Sequence, residues 1–170
     1  MATANNHLVL ITGASTTGKS SSLMFIDNPE GVMHLNCDPQ RLPFKAKFEV
    51  YDIEDPLQVN EAFTAAETMP HIHTIVIDTA TYLFDMYESQ YVIKAVNGQA
   101  AWGEFAQFIK QLFQYYVNRS TKNVIVLAHT LSTYNEQTLE METKVPVKGS
   151  AKNTGINSVP PCSNVWAIIS

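Results

Sequence analysis

The chain has 170 residues, 45% hydrophobic and 16% charged, with a formal net charge of −5: enough apolar sequence for a core around a sheet, and too much for a disordered chain. No apolar run reaches the length of a membrane span, and the opening MATANNH has no basic-then-apolar leader pattern, so the expected compartment is the cytoplasm, with no membrane partner. The negative balance excludes coating of nucleic acid by bulk positive charge.

That balance is uneven, however. Residues 1–118 carry six Lys/Arg against thirteen Asp/Glu, and residues 119–170 carry five against three, so an anionic polymer would be met by the C-terminal third. The two cysteines, Cys37 and Cys162, lack metal-ligand spacing and read as free thiols of a cytosolic chain. The length predicts one domain over 1–170, truncated at its C-terminus if the last apolar run is a core strand.

In chain order, short β-branched runs predict buried strands at 7–13 (HLVLITG), 32–37 (VMHLNC), 48–53 (FEVYDI), 73–79 (HTIVIDT) and 122–129 (KNVIVLAH). Helical patterns lie between them. Residues 18–26 follow a glycine-rich loop, and 56–68 open on a proline suited to a first turn. Over 101–118, Trp102, Phe105, Ile109, Leu112, Phe113 and Tyr116 recur at steps of three and four, which turns one face to a sheet. Such alternation predicts an α/β fold with a mostly parallel sheet. In TLEMETKVPVK the period changes to two, with Leu139, Met141, Val145 and Val147 on one parity and Glu140, Glu142, Lys144 and Lys148 on the other. This predicts one arm of a C-terminal hairpin turning near Asn135, with Pro146 at an edge or end. A basic loop, KGSAKNTG, and a last strand within SVPPCSNVWAIIS complete the chain.

The stretch GASTTGKSSS matches GxxxxGK[ST], with Gly13, Gly18, Lys19 and Ser20 in the fixed places between a strand and a helix. Backbone N–H groups of Ser15 to Ser20 then converge at a helix start, which suits a phosphate. The expected binding set is Gly13, Ala14, Ser15, Thr16, Thr17, Gly18, Lys19, Ser20 and Ser21. Lys19 would span the β- and γ-phosphates and the Ser20 hydroxyl would take one position on Mg²⁺, whereas the hydroxyls of Ser21 and Ser22 read as helix surface or packing. Asp78, closing IVID, is either the acidic partner of that magnesium or a helix cap; its pairing with the glycine loop favours the metal.

DTAT, Asp78 to Thr81, is not the D-x-x-G of Ras-like GTPases, and no N-K-x-D reads guanine, which disfavours GTP. Only Arg41 and Arg119 are present, few for a kinase clamping a phosphorylated acceptor, although a phosphotransferase stays as the rival. Thr79 follows Asp78 where many ATPases have a glutamate, so the residue that orients the attacking water must lie elsewhere. Asp38 is the candidate if its strand neighbours that of Asp78; otherwise it caps the turn before Pro39. Asn36 is the reserve.

GASTTGKSS, the strand ending at Asp38, IVIDT and VIVLAH, in this order and spacing, resemble the three-layer RecA-like P-loop ATPase core. The resemblance is closest to short phage-encoded RecA-like nucleotide-binding proteins linked to single-strand annealing. It implies ATP and Mg²⁺ as ligands, with ATP hydrolysis in phage DNA recombination. Asp38 then stands where such cores carry a glutamate, one methylene longer. His129, closing VIVLAH, matches the polar sensor of the γ-phosphate, the alternative being a structural histidine. Relatives form rings or filaments with the nucleotide between neighbours, which implies a homo-oligomer and a basic residue reaching across. Lys144 and Lys148 are the candidates for that role, the alternative being solvated edge lysines. The same segment is where such proteins meet single-stranded DNA, here through Lys148, Lys152 and Tyr134. A first strand beginning near His7 leaves no N-terminal hook, which favours annealing or an accessory role over strand exchange. A nucleotide-gated binding module with negligible turnover is the second rival.

Overall fold

The computed structural model describes Asn5 and residues 7–137, 139–148 and 166–168. Strands β1 (Leu8–Gly13), β2 (Val32–Asn36), β3 (Glu49–Asp52), β4 (Thr74–Asp78) and β5 (Asn123–His129) fall within the five predicted runs. With β8 (Trp166–Ile168) they form one six-stranded sheet in the order β3-β2-β4-β5-β1-β8, every pairing parallel. Strands β6 (Leu131–Asn135) and β7 (Glu140–Lys144) form the separate antiparallel hairpin.

The side-chain period of two divides the sheet into two apolar faces. Leu10, Met33, Leu35, Ile75, Ile77, Val124 and Val126 face one side, where they meet α2 (Gln58–Glu67), α3 (Ala80–Tyr87) and α4 (Gly98–Gln111). Alternate residues, Ile11, Val32, Val76, Ile125 and Leu127, face the other, under Leu23, Ile26 and a loop carrying Leu42, Phe44 and Phe48. The result is a three-layer α/β fold with both sheet faces covered, which is why its strands are almost unbrokenly apolar. Phe63, Phe105, Ile109 and Leu112 are fully buried on the helical side, each contributing about 1.5–3 kcal/mol from apolar area removed from water.

The helices differ from expectation mainly at their ends. The glycine loop leads into α1 (Lys19–Ser22), a single α-turn followed by a 3₁₀ turn at Leu23–Phe25, rather than a helix over 18–26. α4 begins at Gly98, where the Asn97 side chain accepts the Ala100 N–H at 3.1 Å, and continues as a π-helical segment, Leu112–Val117. The predicted pattern left residues 80–97 unassigned, yet α3 starts immediately after Thr79, whose hydroxyl caps it by accepting the Tyr82 N–H. Its buried Ala80, Leu83, Phe84 and Tyr87 recur at helical spacing. No helix among the described residues is long and apolar enough to cross a membrane.

Candidate nucleotide-binding site

Parallel strands place their C-terminal ends on one edge of the sheet, and loops from four of them meet there. A cleft of about 230 Å³ is lined by Ser15, Thr16, Gly18, Lys19, Ser20 and Ser21 after β1 and by Asp38 and residues 40–43 after β2. Asp78, Thr79 and Tyr82 at the end of β4, and His129 at the end of β5, complete its wall. The strand of Asp38 does neighbour that of Asp78: Asn36 lies opposite Asp78 in the β2–β4 register. β5 lies between β1 and β4, so a strand separates the glycine loop from the acidic strand in space.

Within the loop, Thr16 and Gly18 adopt left-handed backbone, with φ of 66° and 90°. A Cβ on Gly18 would meet nothing within 4 Å, so dihedral angle rather than space calls for glycine there. Lys19 is buried, its ammonium donating to the carbonyls of Gly13 at 3.2 Å and Ala14 at 2.6 Å. Burial lowers its pKa, and the carboxylates of Asp78 and Asp38 oppose that shift. Thr17 lies off the cleft wall, its hydroxyl donating back to the Ala14 carbonyl. Because α1 is one turn long, an anion here is met by first-turn N–H groups rather than by a long helix dipole. Ser21, read as helix surface or packing, lines the cleft, whereas the Ser22 hydroxyl donates to the Lys19 carbonyl.

Asp78 is 3% exposed. Ser20 donates to its Oδ1 at 3.3 Å, and the Nε2 of buried His34 lies 3.1 Å from its Oδ2. A carboxylate only accepts, so His34 donates through Nε2; its Nδ1 is buried with no hydrogen-bond partner among the described residues. The imidazole stacks on Phe48, 6.0 Å between centroids. Strand parity explains the arrangement, since His34 lies opposite Val76 and shares its sheet face with Asp78. No motif pointed to His34; that shared parity was the available signal. Among the described residues no three His, Cys, Asp or Glu side chains gather into a metal cage. A hydroxyl and one carboxylate are instead the hard oxygen donors that suit Mg²⁺, which keeps waters and takes phosphate oxygens.

Asp38 uses its Oδ1 to accept the Gln40 N–H at 2.8 Å, the loop-capping geometry, while also lining the cleft. Its Oδ2 has no partner among the described residues. Asn36 is corrected as the reserve: its side chain donates to Asp52 on β3 at 2.8 Å and does not line the cleft. The His129 ring meets Tyr82 edge-on at 5.5 Å, and its backbone N–H donates to the Thr81 hydroxyl at 2.9 Å. Burial, then the Lys19 ammonium, lower its pKa, with Asp38, Asp78 and Asp85 opposing. Burial, then the charges of Asp78 and Asp38, push the free Cys37 thiol up to about 12.

Lys148 does not line its own chain's cleft; it pairs with Glu88 at 2.6 Å and Asp85 at 3.7 Å. Lys144 ends β7, its backbone opposite Leu131. Lys152 and Cys162 lie outside the described residues. Gln40, Arg41, Leu42, Pro43, Thr79 and Tyr82 join the cleft wall without having been expected there.

A family model described as the AAA domain matches residues 5–159. No curated protein matches the chain. The match runs from before β1 past the end of the hairpin, and therefore takes in every strand end that builds the cleft. The protein belongs to the AAA-domain family, which generally comprises P-loop ATPases.

Proposed function

We propose that this protein binds ATP with Mg²⁺ at the cleft and hydrolyses it. The observation that carries the reading is the convergence of Lys19, Ser20 and Asp78, with Ser20 bonded to Asp78 across 58 residues of sequence. The loop N–H groups and Lys19 bind the phosphates, and the Ser20 hydroxyl and Asp78 hold the metal side. Bound Mg²⁺ supplies neutralisation of phosphate charge. His129, at the end of the intervening strand and on the cleft wall, hydrogen-bonds the terminal phosphate. Asp38 orients or deprotonates the attacking water through Oδ2. Asp38→Asn is expected to lower phosphate release by about 10²–10⁴-fold while ATP still binds. Equal release by the two proteins would remove Asp38 from the mechanism.

A second reading, a nucleotide-gated binding module with little turnover, is favoured by the bond from the Gln40 N–H that engages one Asp38 oxygen. Wild-type protein that binds ATP but releases phosphate at the background rate would establish it.

The finer assignment is to phage DNA recombination or single-strand annealing, on single-stranded DNA, as a homo-oligomeric ring or filament with the nucleotide between subunits. Its support is the basic C-terminal third of the sequence and the exposed Tyr134 on the hairpin, a surface on which a base could stack. For Lys148 to reach DNA or a neighbour's nucleotide it must leave Glu88 and Asp85. Fluorescence anisotropy with a labelled single strand is expected to show weak binding that falls with salt and falls again in Lys148→Ala. Binding insensitive to salt, or absent with ATP present, would refute this assignment.

A further inference from the structure

Lys19 and Arg41 are the two cations on the cleft wall. Lys19 is bonded to its own loop, whereas Arg41 makes no hydrogen bond or ion pair with any described residue. The backbone around Arg41 is nevertheless fixed on both sides. Three residues before it, Asp38 closes the turn onto the Gln40 N–H, and the next residue, Leu42, packs with Phe44 and Phe48 on the sheet face that carries His34 and Asp78. An unpaired guanidinium on an anchored loop, facing a phosphate loop across a cleft, is built to bind an anion.

We propose that Arg41 contacts the γ-phosphate of a nucleotide held by the same chain, so that it distinguishes triphosphate from diphosphate without a neighbouring subunit. This rests on the nucleotide reading above. The terminal phosphate is favoured over the rest of the ligand because Arg41 lies three residues from Asp38 on one loop and lines the same cleft as Ser20 and Asp78, the groups at the metal end. The guanidinium presents several N–H donors in a fixed fork that matches phosphate oxygens, and it keeps its charge at any working pH. Lys148, the alternative cation, is held by two carboxylates of its own chain.

The test is calorimetry with Mg²⁺ and either a non-hydrolysable ATP analogue or ADP, on wild type, Arg41→Ala and Arg41→Lys. The expected result is analogue affinity about 10–100-fold weaker in Arg41→Ala, an intermediate loss in Arg41→Lys, and ADP affinity unchanged. Equal losses for both nucleotides, or no loss for either, would overturn the proposal. Analogue affinity restored by mixing Arg41→Ala with a Lys19→Met protein would assign the contact to a neighbouring chain and overturn it too. Wild type that binds neither nucleotide would overturn the nucleotide reading itself, an outcome distinct from the others. Arg41 is exposed and unpaired, so its replacement leaves folding intact, which a thermal melt checks.

Discussion

Replacing Lys19 with methionine is expected to weaken ATP binding by about a hundredfold or more, measured by calorimetry with Mg²⁺, and to lower phosphate release at least as much. The effect follows from where the ammonium sits. It is buried beneath the loop, donating to the Gly13 and Ala14 carbonyls, with the cleft as its one polar outlet. A phosphate entering the cleft meets a cation already desolvated and aimed, so little reorganisation is needed. Methionine keeps most of the apolar stem and removes a charge whose burial is costly, which offsets the lost bonds to the Gly13 and Ala14 carbonyls, so the thermal midpoint should change little. Loss of binding with a preserved midpoint isolates a functional effect from an unfolding one. A variant that binds ATP like wild type would show that the loop holds no triphosphate.

His34→Leu is expected to destabilise the sheet by about 3–5 kcal/mol in urea unfolding. The leucine fits an apolar face beside Val32 and Phe48, so the cost is not one of packing. It arises because Asp78, 3% exposed, then keeps among the described residues only the Ser20 hydroxyl at 3.3 Å as a side-chain hydrogen-bond donor, with the Lys19 ammonium as a nearby countercharge. A buried carboxylate that loses one of its hydrogen-bond donors is more expensive than a missing neutral contact. For a chain of this size the thermal midpoint should fall by about 10 °C. The assignment of the cost to the pair is checked by a double-mutant cycle with Asp78→Asn: the two losses should overlap by more than about 1 kcal/mol. Simple additivity would mean that His34 and Asp78 do not depend on each other.

His34 sits in a strand that was legible from periodicity and Lys19 at the start of the helix after the glycine loop, yet only Lys19 was legible as part of a site. Gly13 to Ser20 are contiguous, and their chemistry is written in the spacing of one loop. Asp78 follows four strand residues and could be paired with that loop by type. His34 carries no such mark. Its role depends on β2 lying beside β4 and on a register that places it opposite Val76, and a short apolar run does not specify its neighbour. The same ignorance misdirected Asn36, which turns to Asp52 because β3 lies on the other side of β2. α3 is a different case: Thr79 and the spacing of Ala80, Leu83, Phe84 and Tyr87 were a readable cap and stripe that the strand ending at Thr79 concealed.

By itself the amino-acid order determined the layered α/β class, the strands, the hairpin and the phosphate loop, because each rests on side-chain periods or contiguous residues within one segment. Only the tertiary structure decided the sheet order, the His34–Asp78 pair, the capping bond of Asp38, the tethering of Lys148 to α3 and the presence of Arg41 in the cleft. Each of these depends on which distant segments become neighbours or on the path of a loop. Those are settled by burial of the whole core and not by any local preference.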